Sequence, residues 1–161
     1  MEIEIGRGKK ARQAYGFDDI AIVPSRRTRD PQDVDIGWKL GPHLLELPLI
    51  ASAMDGVVSP RTAIELGKLG GLGVLNLEGI FTRYSAADRE LQKIARLPKE
   101  QATSGMQRIY AKPVKPELIA SRIKEIKEAG VLAAGSLTPQ KVRDYYETAL
   151  KAGLDVLVIQ G

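Results

Sequence analysis

The fold is decided by residues 47–76, LPLIASAMDGVVSPRTAIELGKLGGLGVLN. This stretch begins with an apolar run, residues 47–53, that is typical of a strand buried in a parallel sheet. Ser59 followed by Pro60 predicts the start of a helix, and the pair Gly70-Gly71 predicts its end before a second strand at residues 72–75. Two apolar strands joined by one amphipathic helix form a β/α unit, so the stretch predicts an α/β fold with a parallel sheet.

The same alternation continues toward the end of the chain. Helical spacing of apolar residues predicts helices over residues 86–96 and 116–129, and Thr138 with Pro139 predicts the start of another helix. Compact apolar runs predict strands at residues 131–134 and 154–159. Between the second and third helices, residues 98–116 carry KEQATSG and two prolines, which predicts an irregular link.

Residues 1–46 differ from the rest because they are rich in Gly, Pro, Asp and Arg. We predict that they form a turn-rich N-terminal cap segment with short strands, followed by four β/α units over residues 47–161. Four units fit either a small open doubly wound sheet or half of an eight-fold barrel. Because the sequence ends on a bare apolar strand without a covering helix, we predict the N-terminal half of a (β/α)8 TIM barrel.

Composition excludes several kinds of site. The 161 residues contain no cysteine, which excludes a disulfide framework, a thiolate metal site and a cysteine nucleophile supplied by these residues. We predict no metal site. No apolar run reaches the roughly 18 residues that span a bilayer, and we expect a cytoplasmic protein with no membrane partner.

Charge indicates a solvated surface. The net charge is +4, from 24 Lys and Arg against 20 Asp and Glu, and the basic residues are mostly interleaved with acids. Two basic patches lie at residues 7–12 and 26–29, and a phosphate-binding arm is the alternative for them. Because few aromatic residues lie among these charges, we interpret the patches as exposed surface and expect no nucleic-acid partner.

Three unusual segments occur in one order along the chain: FDDIAIVP at residues 17–24, LPLIASAMD at 47–55 and LGGLGVLN at 69–76. In order and spacing they resemble the N-terminal barrel segments of the IMP dehydrogenase and GMP reductase family. AGVLAAG at 129–135 and AGLDVLVI at 152–159 are similar to that family's third and fourth strands. The stretch ARQAYGFDDIAIVPSRRTRDP and the short link at 98–116, in place of a regulatory CBS insertion, look most like the IMP dehydrogenase-related subgroup.

The resemblance implies an oxidoreductase of purine metabolism that contributes to GMP biosynthesis. In such enzymes NAD or NADP exchanges a hydride with C2 of the purine, through a covalent adduct to a cysteine. The implied partner is a purine mononucleotide, IMP or GMP, and we expect a homo-oligomer. The catalytic cysteine would lie beyond residue 161, so we predict no catalytic residue within this segment and no activity of the segment alone.

The resemblance also implies site residues at the carboxyl ends of the strands. Ser52 and Met54 match the pair that contacts the nucleotide, and their chemistry suits a ribose hydroxyl and a flat base. The further candidates at these strand ends are Asp55, Asn76, Glu78 and, for the cofactor, Gln160. For Asp55 a structural role in the turn is an equal alternative.

Three positions depart from the family's pattern. Asn76 and Leu77 stand where its members carry His, or His then Lys, and Gln160 replaces an aspartate that helps to hold the cofactor. IMP oxidation and GMP reduction therefore both stay open. A non-catalytic nucleotide-binding or interaction module on the same fold is the alternative function. His43, the sole histidine, we interpret as a surface residue.

Overall fold

The computed structural model describes residues 2–23, 27 and 29–160, which fall into two compact units, Met1–Asp35 and Ile36–Gly161. The first unit contains an antiparallel hairpin of β1 (Glu2–Glu4) and β2 (Lys10–Arg12) and two short 3-10 turns, Phe17–Asp19 and Pro31–Asp33. The apolar run at residues 20–23 forms neither helix nor strand. Pro24, which ends that run, and Arg26 of the second basic patch lie outside the described residues.

The second unit begins with a hairpin of β3 (Trp38–Leu40) and β4 (His43–Leu45) and continues as a four-stranded parallel sheet. Its strands and helices follow one another along the chain as β5 (Ile50–Ala51), α1 (Pro60–Lys68), β6 (Leu72–Asn76), α2 (Ala87–Ala95), α3 (Lys99–Tyr110), α4 (Pro116–Glu128), β7 (Ala134–Leu137), α5 (Val142–Lys151) and β8 (Val156–Ile159). A 3-10 turn, Ile80–Thr82, follows β6. No helix in the described part of the chain is long and apolar enough to cross a lipid bilayer.

The order of the strands decides between the two predicted architectures. The strand order in the sheet is β5-β6-β7-β8, so each strand lies beside the next one in sequence. Every neighbouring pair is parallel. A doubly wound sheet reverses its strand order at a switch point, whereas a barrel adds strands in one direction with all helices on the outside. The prediction of half a (β/α)8 barrel is confirmed. The predicted division at residue 46 stays a prediction.

Alternation along the strands separates two apolar layers. One layer contains Leu75 and Leu137 and packs against the helices, with Ile119 and Ile123 of α4 fully buried in it. The other contains Val74 and Ala134 on the opposite face, together with Leu45 of the β3–β4 hairpin. This second face corresponds to the inside of a barrel, and the hairpin covers part of it.

Local signals in the sequence explain the first helix. The Ser59 hydroxyl accepts a hydrogen bond from the Thr62 amide at 3.1 Å, and the Thr62 hydroxyl accepts from the Ser59 amide at 2.7 Å, so the two residues cap the helix reciprocally. Pro60 occupies the first helical position, where an amide N–H would have no partner in the helix. Gly70 ends the helix with a φ of 86°, a conformation that favours glycine.

Two sequence predictions were wrong. The link at residues 98–116 is not irregular, because residues 99–110 form α3, in which Ile109 is buried and Gly105 lies against Leu97. Tertiary packing therefore overrides the weak helix propensity of its Thr, Ser and Gly residues. The strand predicted at 131–134 is instead β7 at Ala134–Leu137, since the ladders to β6 and β8 begin at Ala134.

The other boundaries shift by a few residues. The first predicted strand, 47–53, shortens to Ile50–Ala51, and the last, 154–159, begins at Val156. The helix predicted to open at Thr138 and Pro139 begins at Val142, after a turn whose amides donate to the Thr138 carbonyl.

A polar contact fixes the amino ends of β7 and β8. The Asp155 carboxylate accepts hydrogen bonds from the Lys127 ammonium at 2.8 and 2.9 Å and from the Ala133 amide at 2.8 Å. The Asp155 side chain is 17% exposed, so its charge is compensated in a mostly buried place. The amino ends of β7 and β8 are therefore held by side chains that lie far from the carboxyl ends of the strands.

Candidate functional site

The carboxyl ends of the parallel strands carry the candidate site. In this kind of sheet the loops that leave the carboxyl ends meet along one edge, where reactive groups gather. The loop after β5 contains Ser52, Met54 and Asp55, and the loop after β6 contains Glu78. Asn76 is the last residue of β6, and the predicted cofactor residue Gln160 directly follows β8.

The loop after β5 presents Ser52 and Met54 to solvent through a tight turn. The Met54 amide donates to the Ser52 carbonyl at 2.8 Å, and the Met54 carbonyl accepts from the amides of Val57 and Val58, also at 2.8 Å. The Met54 side chain is 53% exposed. Among the described residues the Ser52 hydroxyl has no hydrogen-bond partner, so this hydroxyl and the thioether remain available to a ligand.

Asp55 links this loop to the loop after β6. Its Oδ2 accepts a hydrogen bond from the Ile80 amide at 2.7 Å and another from the Tyr110 hydroxyl. Its Oδ1 is buried without a partner among the described residues and lies against Gly79, where an added Cβ would be 2.0 Å away. Only glycine at position 79 therefore leaves room for this carboxylate.

Tyr110, the last residue of α3, contacts Asp55, and Arg83, in the loop after β6, contacts Tyr110. The Arg83 guanidinium lies over the Tyr110 ring, 5.6 Å from its centroid, and donates to the carbonyls of Tyr110 at 3.0 Å and of Lys112. Burial, followed by the hydrogen bond to the Asp55 carboxylate and the charge of that carboxylate, raises the pKa of Tyr110 far above its ordinary value, while the Arg83 charge opposes this. The phenol therefore stays protonated and donates.

Glu78 connects the second loop with the third. Its Oε1 accepts from the Thr138 amide at 2.6 Å, its carbonyl accepts from Arg83 Nε at 3.0 Å, and its amide donates to the Asn76 side-chain oxygen at 3.0 Å. Asn76 pairs with Ser136 in the β6–β7 register, so both side chains point to the inner face of the sheet. The amide nitrogen of the Asn76 side chain has no partner in the described part of the chain.

The structure places the departures from the family pattern in different surroundings. Leu77 is 0% exposed and packs in the helix-side layer, where a Cβ on Gly135 would lie 2.7 Å from it. Gln160 is exposed, and its amide extends the β8 ladder by donating to the Leu137 carbonyl at 3.0 Å. Leu77 is therefore a core residue, while Asn76 and Gln160 lie at the carboxyl edge.

The structure brings Asp55 and Glu78 into one hydrogen-bonded network and places Ser52, Met54 and Asn76 along the same edge. Among the described residues it gives Gln160 no side-chain hydrogen bond to them. Sequence reasoning missed Tyr110 and Arg83. Arg83 follows a strand end by a few residues, which is a usable signal, but nothing local in the sequence marks Tyr110 as a partner of Asp55.

Several known proteins are similar to this chain in sequence. The IMP dehydrogenase / GMP reductase domain model matches residues 14–161. An uncharacterized oxidoreductase of Mycolicibacterium smegmatis is 42% identical over 164 aligned positions, which cover 99% of this chain and 44% of the relative. Inosine-5'-monophosphate dehydrogenase of Methanocaldococcus jannaschii is 40% identical over 67 positions, or 42% of this chain and 14% of that protein.

A solved structure matches at the level of the fold. The IMP dehydrogenase/GMP reductase-like protein of Corynebacterium glutamicum superposes with a TM-score of 0.84 at 40% identity, covering 99% of this chain and 44% of that one. The chain thus spans less than half the length of these longer relatives. The match over residues 14–161 shows that the chain belongs to the IMP dehydrogenase/GMP reductase domain family of oxidoreductases.

Proposed function

We propose that this chain supplies part of the substrate site of a nicotinamide-dependent purine nucleotide oxidoreductase that acts on IMP or GMP. The observation that carries the proposal is the set of groups left without protein partners at the carboxyl edge of the sheet. Among the described residues these are the Ser52 hydroxyl, the side-chain amide nitrogen of Asn76 and the exposed Met54 thioether. Polar groups that fix orientation beside an apolar surface suit a ribose and a purine ring.

The cofactor would be held in part at the end of β8. The exposed Gln160 side chain offers one donor group and one acceptor without a charge, which fits the hydroxyl groups of a cofactor ribose. When bound, the nicotinamide of NAD or NADP would exchange a hydride with the purine C2. The contribution of this chain is to bind and orient the nucleotide and the cofactor.

The covalent step requires a nucleophile from outside these residues, because the 161 residues contain no cysteine. The proposal therefore concerns the whole protein of which this chain supplies the N-terminal half of a barrel. In that protein the network of Asp55, Arg83 and Glu78 would hold the nucleotide-facing loops in place.

Titration calorimetry of the full-length protein with IMP and with GMP tests the nucleotide site. We expect Ser52→Ala to weaken binding by about fivefold, the equivalent of about 1 kcal/mol for one net hydrogen bond, and Met54→Ala to weaken it as well. Ser121→Ala, on the exposed surface of α4, is the matched control and should bind like the wild type. Unchanged affinity in both site variants would contradict the assignment.

The direction of the reaction is tested separately. The nicotinamide absorbance is followed with IMP and an oxidised cofactor, and with GMP and a reduced cofactor, for NAD and NADP in turn. A change in absorbance with one combination of nucleotide and cofactor identifies the reaction and the cofactor. Nucleotide binding without any turnover would favour the alternative, a non-catalytic nucleotide-binding module.

A further inference from the structure

The loop that carries Ser52 and Met54 is held by a side chain from a distant helix. Tyr110 closes α3, and its hydroxyl donates to Oδ2 of Asp55, the residue next to Met54. No other described side chain donates to this carboxylate, whose second hydrogen bond comes from the Ile80 backbone amide at 2.7 Å.

Tyr110 is itself fixed on two sides. Arg83 stacks on its ring at 5.6 Å and donates to its carbonyl at 3.0 Å, while Nε of the same guanidinium donates to the Glu78 carbonyl at 3.0 Å. A planar guanidinium with several donors holds such an arrangement better than a single ammonium group. The end of α3 is therefore attached to the loop after β6 as well as to the loop after β5.

The position of Asp55 leaves little freedom for the residues before it. Its Oδ1 lies against the backbone of Gly79, and its Oδ2 is held from two directions, so the carboxylate is fixed on three sides. The turn is closed on its other side by the Met54 carbonyl, which accepts from the amides of Val57 and Val58. The exposed Met54 side chain projects from a backbone that is fixed on both sides.

We propose that Tyr110 is a positioning residue for the nucleotide site, which acts by holding Asp55 and thereby the Ser52–Met54 segment in its binding conformation. This inference rests on the proposed function. The raised pKa of Tyr110 supports it, because a protonated hydroxyl remains a hydrogen-bond donor at neutral pH. Tyr110 touches neither Ser52 nor Met54 through a hydrogen bond, so its effect on the nucleotide passes through Asp55.

The test compares Tyr110→Phe with Tyr146→Phe in the full-length protein. Both remove one hydroxyl from a tyrosine on a helix, but within the described part of the chain the Tyr146 hydroxyl donates only to the exposed Glu147, at 3.3 Å. Amide hydrogen exchange is measured on the free protein, and affinity for IMP and GMP by calorimetry. Tyr110→Phe should accelerate exchange over residues 54–58 and 80–82 and weaken nucleotide binding by about fivefold, as for one lost hydrogen bond. Tyr146→Phe should do neither.

The outcomes separate the two proposals. Unchanged exchange over residues 54–58 would overturn the positioning role, as would faster exchange there with unchanged affinity. Faster exchange throughout the sheet would show a general stabilising role instead and would also overturn it. A wild-type protein that binds neither nucleotide refutes the proposed function. Hydrogen exchange is measured without ligand, so the exchange result still decides whether Tyr110 fixes the loop.

Discussion

Shortening Leu77 to alanine tests whether this position belongs to the core or to the site. Its side chain is 0% exposed, and its transfer from water contributes about 1.5–3 kcal/mol. A cavity adds to this loss, and Leu→Ala changes in cores cost about 2–5 kcal/mol. Leu77 lies against the backbone of Gly135 in β7, an inner strand that cannot collapse into the space. We therefore expect the upper part of that range, about 3–5 kcal/mol.

Urea denaturation of the full-length protein measures the change in the free energy of unfolding, with the slope m checked for each variant. Leu69→Ala is the matched control, because Leu69 is 71% exposed and should change stability by less than about 0.5 kcal/mol. Leu77→Met, which conserves volume, should cost less than about 1.5 kcal/mol. Native stability of Leu77→Ala combined with altered nucleotide affinity would refute the assignment of this residue to the core.

Two further substitutions examine the polar contacts at opposite ends of the sheet. Asp155→Ala removes the group that accepts hydrogen bonds from a lysine and from a buried backbone amide. It should lower the free energy of unfolding, measured by urea denaturation, by about 1–3 kcal/mol. The control Asp144→Ala removes one partner of an exposed ion pair and should lower it by less than about 1 kcal/mol. Equal effects would contradict the structural role. Gly79→Ala places a Cβ 2.0 Å from the Asp55 carboxylate and should weaken nucleotide binding measured by calorimetry, while Gly56→Ala, which meets nothing within 4 Å, should leave it unchanged.

Periodicity was sufficient to predict most of the sheet and its helices. The helices α1, α2 and α4 begin and end within two residues of their predicted bounds. For α1 and α4, Pro at the first turn and Gly after the last mark the ends locally, whereas α2 was predicted from the spacing of its apolar residues. Short β/α spacing alone does not separate a barrel from an open sheet, and the strand order confirmed the predicted half barrel. That order became visible only in the hydrogen-bond pairing of the strands.

The helix α3 shows where local reasoning ends. Its KEQATSG segment places Thr, Ser and Gly, which have weak helix propensity, after four good helix formers, and the helix packs through the contact of Gly105 with Leu97 and the burial of Ile109. The partnership of Tyr110 with Asp55 depends on that helix in turn, since α3 brings together two residues far apart in sequence. A site residue contributed by an unpredicted helix could not be predicted either.

The adjacent residues Asn76 and Leu77 have different surroundings because side chains alternate along a strand. Asn76 points to the inner face beside Ser136, whereas the Leu77 amide continues the ladder to the Ser136 carbonyl and its side chain turns to the helices. A lysine at position 77 would place its charge in an apolar layer, at a high cost in desolvation. Gly135 provides the space that Leu77 fills, so these two residues form one packing unit. Of the positions 76, 77 and 160, Asn76 and Gln160 present polar, uncharged groups at the carboxyl edge, and Leu77 does not.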